Sequence, residues 1–353
     1  MFSIVHIDTE RTWRGGQQAL LTLAKGLRAR GHEQLIVCPP VAALAERAVA
    51  EGLEVVALTG SRDLRLLFRR ANYQIVHAHS GRAQNLAFLG SMGTNVRRVV
   101  TRHVTFRPQS LLIHRLKYSM TCHGIIAVSD AVRDSLILSG LLPKQIEVIR
   151  TGVEFPRVVP DEADRKASRR RFGLAAADFV VGHLGAFTAE KGQDVAVEAA
   201  RLLQSRLPDM RWVLAGDGAL LDSIRAQAKG LPVMFPGFIE DQSEFFAALD
   251  LFVMPSRSEA WGLAALSAMA HGVPVIASDT GGLIEIVDDG WRVPAGDARA
   301  LAEAIAALNR DRLREAGLAA REKAKRFSSE ETAKQTEAYY EKILKGRSTS
   351  LYS

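Results

Sequence analysis

Short apolar, β-rich runs alternate with helical patterns along almost the whole chain, and no other feature restricts the fold as much. In the first half the runs are FSIVHID (2–8), QLIVC (34–38), EVVAL (54–58), QIVHAH (74–79), RRVVT (97–101), GIIAVS (124–129) and IEVI (146–149). Continuous apolar strands separated by helices form a parallel sheet covered on both faces. After the first run Leu20, Leu23, Ala24 and Leu27 recur at helical spacing, and Gly31 follows as a C-cap. Residues 154–177 break the pattern with proline and charge, including Arg169–Arg171, and it then resumes: FVVGHLG (179–185), RWVLAG (211–216), PVMFPG (232–237), DLFVMP (250–255) and VPVIAS (273–278). The expected class is α/β, with two doubly wound, Rossmann-like parallel-sheet domains over 1–155 and 178–328 facing a cleft. The last helix, about 329–353, carries Tyr339, Tyr340, Ile343 and Leu344 with no strand after it, so it is expected to pack back on the first domain.

Length and composition narrow the class further. A chain of 353 residues suits about two domains, and 47% hydrophobic against 24% charged residues excludes wholesale disorder. Cys38 and Cys122 are too few for a disulfide scaffold and sit in apolar surroundings, which fits buried thiols in a reducing cytosol. MFSIVHID lacks the basic start of a signal peptide. The longest uncharged window, Ala260 to Ser278, is interrupted by Gly262, Ser267, His271, Gly272 and Pro274, so it reads as a buried helix and strand rather than a membrane span. There is no Asp-x-Asp motif and no evident His/Cys cluster, so no metal is expected.

The net charge of +7 is unevenly placed: residues 1–160 hold 21 Lys+Arg against 11 Asp+Glu, or +10, leaving 25 against 28, or −3, for the remainder. This asymmetry points to an anionic partner. RPQSLLIHRLKYSM (107–120) combines Arg107, His114, Arg115 and Lys117 with leucines at a spacing that suits either an anionic membrane surface or ordinary helix packing. Arg97, Arg98 and Arg102 nearby favour an anionic acceptor, whereas the lack of interleaved aromatics disfavours nucleic acid.

The most informative stretch is RSEAWGLAALSAMAHGVPVIASDTGGLIEIV (257–287). A strand ends near Pro255, a polar loop presents Glu259, and a helix starts at Gly262 and Leu263. Unpaired N–H groups and a partial positive charge at a helix start suit a phosphate, and glycine permits close approach. Thr280, Gly281 and Gly282 form a second such corner, and two corners together suggest a diphosphate.

This stretch resembles the donor-binding signature of retaining GT-B glycosyltransferases of family 4: Glu, seven residues, Glu, then Gly-x-Pro-Val and a Gly-Gly-x-x-Glu turn. RGGQQALLTLAKGLRARGHE (14–33), IVHAHS (75–80), IIAVSDAVRDSL (125–136), EKGQDVAVEAARLL (190–203) and LAGDG (214–218) resemble family segments in the family order. The resemblance implies a nucleotide diphosphate sugar as substrate and transfer to an acceptor hydroxyl, with no cofactor. The basic first half motivates a glycan or glycolipid acceptor of lipopolysaccharide or surface-polysaccharide synthesis, and with the cysteine usage and the 107–120 segment it suits a cytoplasmic enzyme peripheral at the inner face of the plasma membrane. The resemblance further implies that Gly15 and Gly16 approach the donor diphosphate, that His103 faces the transferred sugar, that Lys191 neutralises the leaving diphosphate and that Glu259 accepts from sugar hydroxyls. Gly262, Leu263, Gly281 and Gly282 would hold the donor. Two departures stand out. Ser267 occupies the place of the second, ribose-gripping glutamate, and Ala186 that of a phosphate-binding arginine, whose charge a side chain such as Arg257 would have to replace. They leave room for a catalytically weakened nucleotide- or glycan-binding homologue, and a nucleotide-sugar epimerase on the same fold is a third reading.

Overall fold

The computed structural model describes residues 1–105 and 111–346, with only the backbone at 112–114. Two compact units emerge: Met1–Gly152 with Phe327–Ser353, and Val153–Arg326. Part of the 107–120 segment, including Arg107 and the His114 side chain, lies outside the described residues, as does the chain beyond 346.

In the first unit seven strands, β1 (Ser3–Ile7), β2 (Glu33–Cys38), β3 (Glu54–Ala57), β4 (Ile75–Ala78), β5 (Arg97–Arg102), β6 (Gly124–Ala127) and β7 (Ile146–Val148), form one sheet in the order β3-β2-β1-β4-β5-β6-β7. Every pairing is parallel. Six helices provide the crossovers: α1 (Gly15–Ala29), α2 (Ala43–Ala50), α3 (Ser61–Arg70), α4 (Gly81–Ser91), α5 (Leu111–Thr121) and α6 (Asp130–Leu138). The chain first winds outward through β2 and β3, then returns past β1 to build β4 to β7. Right-handed crossovers therefore put α1 and α2 on one face and α3 to α6 on the other.

The second unit repeats the scheme with α7 (Glu162–Arg171), β8 (Phe179–Leu184), α8 (Gln193–Leu203), β9 (Met210–Ala215), α9 (Leu221–Gln227), β10 (Val233–Gly237), α10 (Gln242–Ala247), β11 (Leu251–Met254), α11 (Leu263–Ala270), β12 (Val275–Ser278), α12 (Leu283–Ile286), β13 (Arg292–Val293), α13 (Ala298–Ala306) and α14 (Leu313–Ala324). Its six parallel strands run β10-β9-β8-β11-β12-β13. Val181, Trp212, Leu214, Leu251 and Val253 from the strands and Val195, Ala199 and Leu203 from α8 share its core. Arg165 and Arg169 of α7 both pair with Asp250 just before β11.

The last helix, α15 (Ser329–Lys345), belongs to the first unit. Ala333, Tyr339 and Tyr340 join Ile4, Leu27, Ile75, Val99 and Ile126 in one core. Tyr340 is fully buried, with its hydroxyl 2.6 Å from His77 Nδ1. Two glycines allow this docking. A Cβ at Gly152 would lie 2.1 Å from the Ser328 carbonyl oxygen, and one at Gly124 2.4 Å from Ile343 Cδ1. No helix among the described residues is long and apolar enough to cross a membrane.

If α15 is an integral part of the first unit, Tyr340→Ala empties a large core site and lowers unfolding free energy by about 3–5 kcal/mol. Tyr340→Phe leaves only a buried imidazole nitrogen unpaired, at about 1–3 kcal/mol. Urea melts check both, and an unchanged midpoint in Tyr340→Ala would mean that α15 adds nothing to the unit.

Candidate functional site

In each sheet the strand order reverses beside the first strand, between β1 and β4 and between β8 and β11. Loops leaving the carboxyl ends of these neighbours diverge and open a crevice, where open α/β sheets bind ligands.

In the second unit the loop after β8 carries Lys191 and the loop after β11 carries Glu259. Lys191 Nζ lies 2.6 Å from Glu259 Oε2, and the Ser256 hydroxyl is 3.4 Å from the same oxygen. The two loops are interlocked through backbone: Arg257 N–H donates to the Glu190 carbonyl at 2.7 Å, and Gly192, with φ of +68°, lies so close to Pro255 that a Cβ would meet its carbonyl oxygen at 2.0 Å. Glu259 is fixed from its other side by the turn after β12. Gly282 N–H donates to the Glu259 carbonyl at 3.1 Å, while a Cβ at Gly281 would stand 1.8 Å from that oxygen. Gly281 and Gly282 thus buttress the Glu259 loop, and the Gly282 amide is already used there.

Gly262 is the N-cap of α11, with φ of +106°, and Leu263 is its first helical residue. The first N–H groups of such a helix lack intrahelical acceptors, which leaves donors for an anion on the Glu259 side of the crevice. Ser267 lies one turn further on and is buried. Its carbonyl accepts from His271 N–H at 3.1 Å and lies 2.7 Å from His271 Nδ1, and His271 Nε2 lies 3.1 Å from the Ser243 hydroxyl. Arg257 does not take the place of the missing arginine. Its guanidinium holds Asp194 in a two-point ion pair at 2.8 and 2.5 Å and donates to the Ala189 carbonyl at 3.0 Å, so its charge is spent there. That pairing holds the Asp194 carboxyl below the usual carboxylate range.

In the first unit Gly15 and Gly16 open α1, and a Cβ at Gly16 would lie 3.9 Å from the His103 ring, so residues far apart in sequence meet beyond β1 and β5. Burial and the neighbouring Arg102 charge push His103 down to about 4, so its imidazole is neutral near pH 7. His103 Nε2 is buried without a protein partner among the described residues.

Beneath it the sequence-based expectation of no histidine cluster is corrected. Parallel pairing puts His6 opposite His77, and β4 ends one residue before His79; His6, His77 and His79 place a nitrogen each within 4.8 Å of one another. The interval between positions 6 and 77 hid this from the sequence. His6 Nδ1 lies 3.1 Å from His79 Nε2, and His6 Nε2 lies 2.8 Å from Gln34 Oε1. His77 lies 2.6 Å from both Tyr340 Oη and Thr101 Oγ1. Both nitrogens of His6 and of His77 therefore have protein partners, and the His79 ring stacks on His103 with centroids 5.8 Å apart. Burial lowers His6 to about 4 and holds His77 and His79 well below the usual imidazole range.

Two further residues escaped the sequence reading. Asp8, at the end of β1, accepts from Gln17 Nε2 at 3.3 and 3.2 Å, and Gln17 Oε1 accepts from Arg14 N–H at 3.2 Å, which ties the glycine turn to the sheet. Burial raises the Asp8 carboxyl above its ordinary value. In the second unit His183 is buried, lies 3.0 Å from the Val253 carbonyl through Nδ1, and is pushed down to about 4 by burial. An acid at a strand end before paired glycines was the available signal for Asp8. Nothing local marked His183.

Comparison with known proteins follows the same two units. Residues 13–157 match the family described as Glycosyltransferase Family 4, and residues 178–311 match Glycosyl transferases group 1. The D-inositol 3-phosphate glycosyltransferase of Jonesia denitrificans is 30% identical over 304 residues, covering 76% of this chain and 72% of that protein. The lipopolysaccharide core biosynthesis mannosyltransferase LpsB of Rhizobium meliloti is 32% identical over 215 residues, covering 56% of this chain and 61% of its own length. The mannosylfructose-phosphate synthase of Agrobacterium fabrum is 32% identical over 206 residues, with 54% and 45% covered. The matches thus span about half to three fifths of the latter two relatives. Among solved structures, Anabaena Alr3699/HepE in complex with UDP and glucose has a TM-score of 0.85 at 22% identity, covering 97% of this chain and 100% of that one. A Rickettsia africae glycosyltransferase has a TM-score of 0.84 at 20% identity, covering 98% and 99%. These similarities show the GT-B fold.

The buried imidazoles set a pH dependence. His6, His103 and His183 titrate near 4 in the folded chain and near 6.5 when unfolded, so the unfolded chain binds more protons between those values. Their contribution is complete above pH 6.5 and is lost as pH falls toward 4, at up to about 1.4 kcal/mol per pH unit per histidine. Urea melts at about pH 7.5 and about pH 5 should show a marked fall in midpoint at the lower value; identical midpoints would contradict these histidine environments.

Proposed function

Because the chain belongs to glycosyltransferase family 4, we propose that it moves a sugar from a nucleotide diphosphate sugar to a hydroxyl of a glycan or glycolipid acceptor, retaining configuration at the anomeric carbon. The observation that carries this reading is the Lys191–Glu259 pair beside the first turn of α11, at the strand-order reversal of the second sheet. The bond from the anomeric carbon to the phosphate oxygen breaks, a bond from that carbon to the acceptor oxygen forms, and the acceptor proton passes to the leaving diphosphate. Negative charge grows on the diphosphate as the bond breaks. A fixed ammonium and helix N–H groups stabilise that charge most in the transition state. Glu259, held by backbone on two sides, accepts from sugar hydroxyls and keeps Lys191 extended toward the phosphates. In the first unit the neutral imidazole of His103, beside Gly16 and with Nε2 unpartnered among the described residues, offers a hydrogen bond without adding a charge.

The donor assignment is supported by structural neighbours described as complexes with UDP and with UDP-glucose. A lipopolysaccharide or surface-polysaccharide acceptor, met at the inner face of the plasma membrane, is supported by the basic first half and by the likeness to a lipopolysaccharide core mannosyltransferase. No metal or other cofactor enters the reading.

Purified protein incubated with UDP-, GDP-, ADP- and CMP-sugars, with and without cell-envelope extract, should transfer one sugar in the presence of extract, as read by mass spectrometry. Thermal protection without transfer or hydrolysis would favour a binding homologue, and donor conversion without acceptor an epimerase. Lys191→Ala and Glu259→Ala should each lower turnover by about ten- to a thousandfold, the scale of one charge-stabilising contact. Wild-type rates in both would remove the site.

A further inference from the structure

The positive charge of the first unit is concentrated on one face. Between Ser61 and Thr121 the sequence holds eleven Lys and Arg residues against one acid, Asp63. The Thr59 hydroxyl donates to Asp63. Seven of these cations, Arg62, Arg65, Arg69, Arg70, Arg82, Arg115 and Lys117, lie on α3, α4 and α5, which the winding of the sheet puts on the face opposite α1, while α15 packs on the α1 side. The three helices form a continuous layer. A Cβ at Gly90 of α4 would lie 2.7 Å from Leu64 Cβ of α3, Arg65 donates to the Leu89 carbonyl at 3.2 Å, and Gln84 of α4 donates to Thr121 at the end of α5 at 2.7 Å.

Each helix turns its apolar side to the sheet and exposes a second stripe that mixes cations with aliphatic side chains: Arg62, Leu66, Arg69 and Arg70 on α3; Arg82 and Leu89 on α4, with Met92 following; Leu111, Arg115, Leu116 and Met120 on α5. The six aliphatic members are between 44% and 58% exposed. Arg62, Arg69, Arg70, Arg82 and Arg115 have no ion pair or hydrogen bond among the described residues. In the second unit acids are interspersed with the cations, and Arg165 and Arg169 pair with Asp250, Arg206 with Glu303, Arg257 with Asp194 and Arg310 with Asp209, although Arg157, Arg170, Arg299 and Arg314 stand without such a partner among the described residues. A dense field of uncompensated cations repels itself and draws an extended anionic partner.

We propose that the α3–α4–α5 face docks on an anionic lipid bilayer. Guanidinium groups with long apolar stems reach headgroup phosphates while the neighbouring Leu and Met side chains enter the boundary of the acyl region. Other partners fit less well. Single-stranded nucleic acid needs exposed aromatic rings, and on this layer Phe68 and Tyr118 are buried while Phe88 is half-buried with the Arg98 guanidinium over its ring. A peptide helix needs an apolar groove between two helices, whereas here every helix carries its own stripe of mixed charge and aliphatics. The inference deepens the reading of a glycolipid acceptor, since it brings the enzyme to the surface where such an acceptor resides. Its test uses neither donor nor acceptor, so it stands or fails separately.

The full chain is sedimented with vesicles of pure phosphatidylcholine or of equimolar phosphatidylcholine and phosphatidylglycerol. It should pellet with the mixed vesicles, remain in solution with pure phosphatidylcholine, and be released by high salt. With about a fivefold loss in partition for each removed cation, the variant Arg62→Glu/Arg69→Glu/Arg115→Glu should bind at least about a hundredfold more weakly. Leu116→Ser/Met120→Ser should weaken binding several-fold while keeping its salt dependence, and circular dichroism should match wild type in both. The salt titration of the wild-type chain needs no variant. Failure of the folded wild type to pellet with mixed vesicles at low salt would overturn the proposal, as would equal binding to both lipids. Equal binding by all variants, or heparin binding unaffected by Leu116→Ser/Met120→Ser in place of vesicle binding, would do the same.

Discussion

The reversal of strand order beside β1 and beside β8 is the constraint from which the rest of this molecule follows. A parallel sheet cannot place consecutive crossovers on both faces without a point where neighbouring loops part, and the gap left there is lined by strand ends and helix starts. In the second unit the gap is bounded by the loops of Lys191 and Glu259. In the first it is bounded by the loop through Asp8 to Gly16 and by Ser80, whose hydroxyl lies 2.9 Å from that of Thr9. Backbone polarity alone makes both gaps hospitable to an anion before any side chain is considered.

The loops at the second-unit gap are locked together through backbone. Gly192 and Gly281 let two loops approach to distances that a Cβ would forbid, and the amides of Arg257 and Gly282 close the contacts. The Lys191–Glu259 pair is consequently a product of interlocked loops. A charge positioned in this way needs little rearrangement when a ligand's charge develops, which is the physical basis of electrostatic preorganisation. In the first unit the corresponding support is a layer of neutral imidazoles under His103 and the Asp8–Gln17–Arg14 tie under the glycine turn. Burial keeps those imidazoles uncharged, so they can line the base of the site without repelling each other.

Much of the architecture was legible in advance because buried parallel strands and amphipathic helices impose opposite periodicities on a chain. The seven runs of the first half and five of the second correspond to β1 to β12, and only the two-residue β13 was too short to leave a pattern. The family resemblance pointed to Lys191 and Glu259 and the helix-start reading to Gly262, and the fold places the first two side chains 2.6 Å apart, with Gly262 at the start of α11. The role of Gly282 was read less well: spacing marks it as a phosphate corner, while the fold spends its amide on the Glu259 carbonyl. Arg257 looked available in sequence and is committed to Asp194, because that pairing depends on how the loop after β11 crosses the start of α8.

What the sequence determined by itself is the set of elements and the residue types at their ends, since hydrophobic period, glycine and capping chemistry act over a few positions. What only tertiary structure decided is which distant ends meet: His6 with His77 and His79, Gly16 with His103, Lys191 with Glu259, and three separate helices whose unpaired arginines share one face. The reason is that register between strands and the hand of each crossover are properties of the assembled sheet. Side-chain neighbours separated by tens of residues exist only once that sheet has formed.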